Sequence, residues 1–188
     1  MNEGHLRYLS SPEWANALET DVLPWILDVG DLGDEVLEIG PGPGLTTDLL
    51  RSRVRSLTAV EVDADLAGAL AVRLAGTNVA VLHADAAQTT LPSSSFSTAV
   101  CFSALHHMPS PVHQDLVFGE VGRLLRPGGV FLGIDSLDVA AIKQAHADDT
   151  FVPVDPETLG VRLVVAGLHD THFERAEYQF RFFARKPT

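Results

Sequence analysis

The chain has a single cysteine, Cys101, in 188 residues. No disulfide can form within it, and a reducing, cytoplasmic setting is the expectation. Positive charge is scarce: 13 Lys and Arg stand against 25 Asp and Glu, a formal charge of −12. Such a surface repels phosphate backbones, so nucleic acid is disfavoured as a partner. The one densely basic stretch, Arg51-Ser52-Arg53-Val54-Arg55, is short. No apolar run approaches the roughly 18 residues that a membrane span needs, so none is expected. The opening Met1-Asn2-Glu3-Gly4-His5 lacks the basic-then-apolar pattern of a secretory leader. Repeats and low-complexity tracts are absent as well. What remains is the length of one ordinary domain, with a hydrophobic fraction of 46% that suits a globular core.

Two parts differ in pattern. Residues 1–33 read as an N-terminal helical cap. Ser11-Pro12 is a helix start, with a capping hydroxyl and a proline where its missing N–H is harmless. Trp14, Leu18 and Val22 then share one face. Pro24 is expected to kink or end that helix. Residues 34–188 alternate between strands and helices. Apolar runs at Glu35 to Ile39, Leu57 to Val62, Val79 to Leu82, Thr98 to Ser103 and Val130 to Ile134 read as strands. Helical spacing follows at Thr46 to Arg53, after Asp63, after Ser110-Pro111 and after Asp155-Pro156. Two more strands, near Thr171 to Ala176 and Gln179 to Arg185, close the chain. Strands separated by helices imply crossovers and a parallel sheet, hence an α/β fold. The final pair is too close for a crossover, so one of them must run antiparallel. Ligands of such sheets bind at the C-terminal strand edge.

The first strand runs into Glu38-Ile39-Gly40-Pro41-Gly42-Pro43-Gly44. Without a Cβ, such a turn brings backbone N–H groups close to a ligand. Dinucleotide folds use G-x-G-x-x-G, which here would require glycine at Leu45. The glycines fall at 40, 42 and 44 instead, two residues after an acidic one. E/D-x-G-x-G-x-G is similar to the first motif of class I methyltransferases dependent on S-adenosyl-L-methionine (SAM). The resemblance continues from about Glu35 to Thr188. Ala59-Val60-Glu61-Val62-Asp63 matches the acidic end of the second strand. His83-Ala84-Asp85-Ala86-Ala87 matches the motif after the third. Phe102-Ser103-Ala104-Leu105-His106-His107-Met108 matches the end of the fourth, and Arg126-Pro127-Gly128-Gly129 the turn before the fifth. One departure is Phe96-Ser97 where the family often has Phe-Asp; a weaker edge hydrogen bond is expected there.

The resemblance implies a three-layer Rossmann-like sandwich with seven strands in the order 3-2-1-4-5-7-6, strand seven antiparallel. It implies SAM as cofactor and S-adenosyl-L-homocysteine (SAH) as product, held by Glu38, Gly40, Gly42, Gly44, Thr46, Glu61, Val62, Asp85, Ala86 and Ser103. Glu61 would bind the ribose hydroxyls, because a carboxylate offers two acceptors to two donors. Asp85 would accept from the adenine amino group, with Val62 on the ring face. Methyl transfer is a direct displacement at the sulfonium carbon, so alignment carries much of the catalysis and no metal is expected. His106 and His107 are the candidate bases, since imidazole titrates near neutrality. Their alternative is structural packing. His5, Tyr8, Trp14, His146 and Phe151 are candidates for the acceptor pocket. The fourth strand lacks the Asn/Asp-Pro-Pro-Tyr/Phe sequence of amino-methylating nucleic-acid enzymes, which points to a small-molecule acceptor. The competing readings are a NAD-dependent oxidoreductase and a non-catalytic SAM-binding protein.

Overall fold

A computed structural model describes residues 2–188; Met1, at the tip of the expected cap, lies outside the described residues. Three short helices come first: α1 (Glu3–Leu9), α2 (Pro12–Ala17) and α3 (Leu23–Val29). Asn2 caps α1 by accepting from the His5 N–H, and Ser11 caps α2 by accepting from the Trp14 N–H. Pro24 does not end the helical run. It sits in the first turn of α3, and Leu18–Val22 passes between α2 and α3 as a π-helical turn. Within a continuous run a proline removes one backbone hydrogen bond, and the π turn directly before it is where the regular α pattern breaks.

The remaining elements are β1 (Glu35–Ile39), α4 (Leu45–Arg51), β2 (Ser56–Glu61), α5 (Ala64–Arg73), β3 (Val79–His83), β4 (Phe96–Phe102), α6 (Pro111–Leu124), β5 (Leu125–Ser136), α7 (Ala140–Ala145), α8 (Pro156–Val165), β6 (His169–Arg175) and β7 (Gln179–Arg185). The sheet order is β3-β2-β1-β4-β5-β7-β6. β1 to β5 pair in parallel, and β7 runs antiparallel to both β5 and β6.

Two strand-and-helix boundaries differ from expectation for physical reasons. α4 ends at Arg51, so Arg53 lies beyond it, and its guanidinium donates to the Leu49 carbonyl at 2.7 Å. β5 begins before the Pro127-Gly128-Gly129 turn, because Leu125 already pairs with Phe96 and the irregular step falls between Phe96 and Thr98. At Ser97, where a weaker edge bond is expected, the serine hydroxyl makes the contacts. It lies 2.8 Å from the Leu32 and Glu35 carbonyls and accepts from the Glu35 N–H at 3.3 Å.

Alternation along the strands divides the core. Leu37, Ile39, Ala99, Cys101 and Phe131 face α6 and α8. Val36, Leu57, Val100, Phe102 and Leu132 face α3 and α4. The N-terminal helices bury Leu9, Trp14, Leu18, Val22, Trp25 and Ile26 in that second core. They are therefore packed on the sheet through apolar area, at roughly 25 cal/mol per Å2 removed from water. This places α1 and α2 beside the C-terminal ends of β1 and β4.

Candidate functional site

All three loop glycines have positive φ: 66° at Gly40, 54° at Gly42 and 91° at Gly44. Gly40 needs its missing Cβ twice over, since a Cβ there would stand 2.6 Å from the Ala104 Cβ. Gly44 serves packing: a Cβ would meet Leu70 and Arg73 of α5. The loop is anchored by Glu61, whose two oxygens accept from the Gly42 N–H and the Asp63 N–H, each at 3.0 Å. A carboxylate has about four lone-pair directions, so both oxygens retain accepting capacity.

Glu61 lines a cavity of about 450 Å3 with Gly40, Val62, Asp85, Ala86 and His107. Val62 is 67% exposed, an apolar face left open to this space. Asp85 accepts from the Ala87 N–H at 2.8 Å and stands 3.0 Å from His113 Nε2. His113 was invisible to motif reading; it reaches the cavity because Ser110 caps α6 and aims the first turn there.

Glu38 is buried, and its Oε2 accepts from the Thr47 hydroxyl at 2.6 Å. Burial raises its carboxyl to about 7, against the lowering effect of that bond. It adjoins a void of only about 10 Å3, shared with Thr46 and closed by Leu9, Trp14 and Phe102. The N-terminal helices thus roof the Glu38 end of the loop.

A second cavity of about 680 Å3 opens on the other side. His5, Tyr8, Trp14 and His146 line it, together with Ser103 and Tyr178. Ser103 faces this chamber rather than the Glu61 cavity. It has left the strand with φ 53°, while its N–H still donates to the Ile134 carbonyl at 2.7 Å. Phe151 is set behind the chamber, stacked on His146 with centroids 4.8 Å apart.

Between the cavities stand four imidazoles. His106 is fully buried, its Nδ1 2.5 Å from Asp135 Oδ1, while the other Asp135 oxygen accepts from the Leu105 N–H at 2.9 Å. His107 Nε2 lies 3.0 Å from His5 Nδ1. His146 Nδ1 lies 2.8 Å from the Ile142 carbonyl. Burial, then the neighbouring imidazoles, lower His5 to about 4 and His107 to about 3. Both rings are therefore neutral at pH 7. Asp135 was missed in the sequence because an acidic residue in the apolar run Phe131 to Ile134 has no local signature; only its distance to His106 marks it. Cys101 is buried in the core, where burial holds its thiol well above the ordinary range, so it offers no thiolate.

Comparison with known proteins gives a consistent result. A family model described as "Methyltransferase domain" matches residues 36–129. An uncharacterized methyltransferase of Mycobacterium bovis is 34% identical over 94 residues, covering 50% of this chain and 46% of its own length. A ribosomal RNA small subunit methyltransferase A of a Synechococcus strain is 38% identical over 112 residues, covering 56% of this chain and 39% of its own. The chain therefore spans less than half the length of these relatives. The N-methyltransferase NodS of Bradyrhizobium japonicum, solved with SAH, superposes with a TM-score of 0.75 at 18% identity, over 96% of this chain and 91% of its own.

Proposed function

Because the chain belongs to the class I SAM-dependent methyltransferases, we propose that it transfers the SAM methyl group to a small-molecule acceptor. The observation that carries this reading is the pair of cavities meeting at one wall. Glu61, Val62, Asp85 and Ala86 line one side; His5, Tyr8 and His146 line the other. His107 of the first and His5 of the second are 3.0 Å apart.

In this reading Glu61 accepts from the ribose hydroxyls, and Asp85 and the Ala86 N–H meet the adenine edge. Val62 lies on the ring face. Gly40 and Gly42 let the backbone approach the methionine chain, and the Glu38 carboxylate attracts its ammonium group. The acceptor, held in the chamber, attacks the methyl carbon in line with the departing sulfur. No covalent enzyme intermediate forms, and alignment does most of the work. His106 and His107 enter as the groups nearest the wall. With His107 held near 3 by its surroundings and its Nε2 facing His5 Nδ1 at 3.0 Å, it takes a proton weakly and serves to shape the wall rather than as a base. A small acceptor suits a charge of −12, whereas RNA binding relies on cationic neutralisation.

Two features support SAM over NAD. Leu45 occupies the position a dinucleotide loop gives to glycine. The β5-β7-β6 edge is antiparallel, unlike the parallel 3-2-1-4-5-6 order of dinucleotide folds. The test is transfer of label from methyl-tritiated SAM into a low-mass metabolite pool, with purified RNA as the parallel acceptor. Label in the low-mass fraction alone is expected. Label confined to RNA would replace the acceptor class, and SAH binding without transfer to any acceptor would favour a binding protein.

A further inference from the structure

The four histidines between the cavities come from three distant segments. His5 lies on α1, His106 and His107 follow β4, and His146 follows α7. One nitrogen of each lies within 4.8 Å of the others. Their opposite nitrogens are engaged in a way that fixes where the lone pairs point. The Ile142 carbonyl can only accept, so His146 Nδ1 carries the proton and Nε2 bears a lone pair. The Thr150 carbonyl, 3.2 Å from His107 Nδ1, and the Asp135 carboxylate on His106 Nδ1 impose the same tautomer. Three Nε2 lone pairs therefore converge. Among the described residues one of them, that of His107, faces a donor, the Nδ1 of His5. The other two, His106 Nε2 and His146 Nε2, are buried with no hydrogen-bond partner among the described residues. Such groups are rare in folded proteins and demand a reason.

We propose that these four histidines bind a divalent transition-metal ion, zinc(II) by the fit of the set. Imidazole nitrogen suits zinc, which takes four ligands tetrahedrally at about 2.0–2.1 Å. Adjacent nitrogens then stand roughly 3.4 Å apart, so the widest pair has at most about 1.4 Å to close. Metal-bound histidines commonly donate their other N–H to a carboxylate or a backbone carbonyl, as His106, His107 and His146 do here. His5 completes the set by moving its proton from Nδ1 to Nε2. The ion would tie α1 and the segment after α7 to the loop after β4, clasping the chamber shut at its wall. The methyl displacement asks for no metal, so this site stands or falls independently of the SAM reading.

The test uses tag-free protein of the full chain, stripped with a chelator and titrated with zinc(II) by calorimetry and by competition with a chromogenic chelator. One ion per chain is expected, with a dissociation constant below 1 μM as an order-of-magnitude expectation for a four-histidine site. Cobalt(II) should give the intense visible bands of a tetrahedral centre, a readout that needs no variant. His146→Ala and His5→Ala should each weaken zinc binding at least about tenfold, while His172→Ala, on the exposed face of β6, should leave it unchanged. Circular dichroism of each variant shows that it is folded. No zinc binding at 100 μM, roughly a hundredfold above that expectation, would overturn the proposal. So would binding that survives both variants, or a purely octahedral cobalt spectrum. SAH titration of the stripped protein reads the cofactor site separately.

Discussion

The two cavities are built by opposite rules. The Glu61 cavity is made by consecutive strand-to-helix loops of a parallel sheet, and the bonds that hold Glu61 and Asp85 reach only 2 to 28 positions along the chain. Glu61 binds the Gly42 and Asp63 N–H groups, and Asp85 binds the Ala87 N–H. The chamber is made by pieces that meet only in the folded chain. His5 and His107 are 102 residues apart, and Asn2 donates to Asp149 across 147. A site made by local loops forms as the sheet forms. A site made by remote segments depends on α1 and the region after α7 staying docked, and such regions open most readily. One half of the molecule is thus preorganised, and the other is closed by its own lids.

Damage on the Glu61 side should abolish cofactor binding while sparing the chamber. The largest effect is expected from Gly40→Val. At φ 66° a β-branched residue is strained, and its Cβ would strike Ala104. SAH affinity should fall more than about 100-fold, with about 1–3 kcal/mol lost from stability; calorimetry and thermal melting measure the two. Unchanged affinity would mean that the loop does not touch the cofactor.

Glu61→Ala should weaken SAH binding roughly 10- to 100-fold, the net equivalent of about one hydrogen bond to a charged group at about 1.5–3 kcal/mol. Glu61→Gln should recover part of this by still accepting one bond. Equal binding by parent and Ala variant would remove the ribose assignment.

The third effect is on pH. The Glu38 carboxyl, raised to about 7 by burial, is protonated below that pH in the empty protein. A ligand ammonium group favours the carboxylate, so SAH affinity should rise about tenfold between pH 6 and pH 8, with proton release below pH 7. Glu38→Gln should flatten that profile. The sign for folding is the reverse. Between about pH 4.5 and 7 the folded state keeps a proton that the unfolded chain has released, so Glu38 lowers stability as pH rises across that window. A parent profile that is flat from pH 6 to 8 would contradict this role.

The smallest effect belongs to the chamber. Tyr8, half exposed, lines it without touching the Glu61 cavity. Tyr8→Ala should leave SAH affinity within about twofold and raise the acceptor KM about three- to tenfold, the loss expected of one aromatic contact. A parallel fall in SAH affinity would mean that the two cavities are one site.

The same contrast explains what could be read from the chain before its structure. The glycine spacing, Glu61 and Asp85 follow strands at fixed intervals, so periodicity and motif placed them together. The sheet order followed from the same resemblance. The cap at Asp63 was legible because its carboxylate serves the N–H groups two and three residues on, those of Asp65 and Leu66. The histidine group was not legible. His106 and His107 stood out, and His5 and His146 were noticed only as chamber candidates, because nothing local tells two imidazoles that they will meet. Asp135 was hidden in an apolar strand. Pro24 marks a break in the helix, the π turn directly before it, but not the end of the helical run, which was the other alternative.

The central claim, that the Glu61 cavity is built for SAM, meets its most direct test in one calorimetric series. SAM, SAH and NAD are titrated separately into the full chain at pH 8, where the Glu38 carboxyl is largely ionised. Binding of SAM and SAH at one site per chain, with roughly micromolar affinity (about −8 kcal/mol) and no detectable heat from NAD, is the predicted result. Micromolar binding of NAD with none of SAM would contradict it.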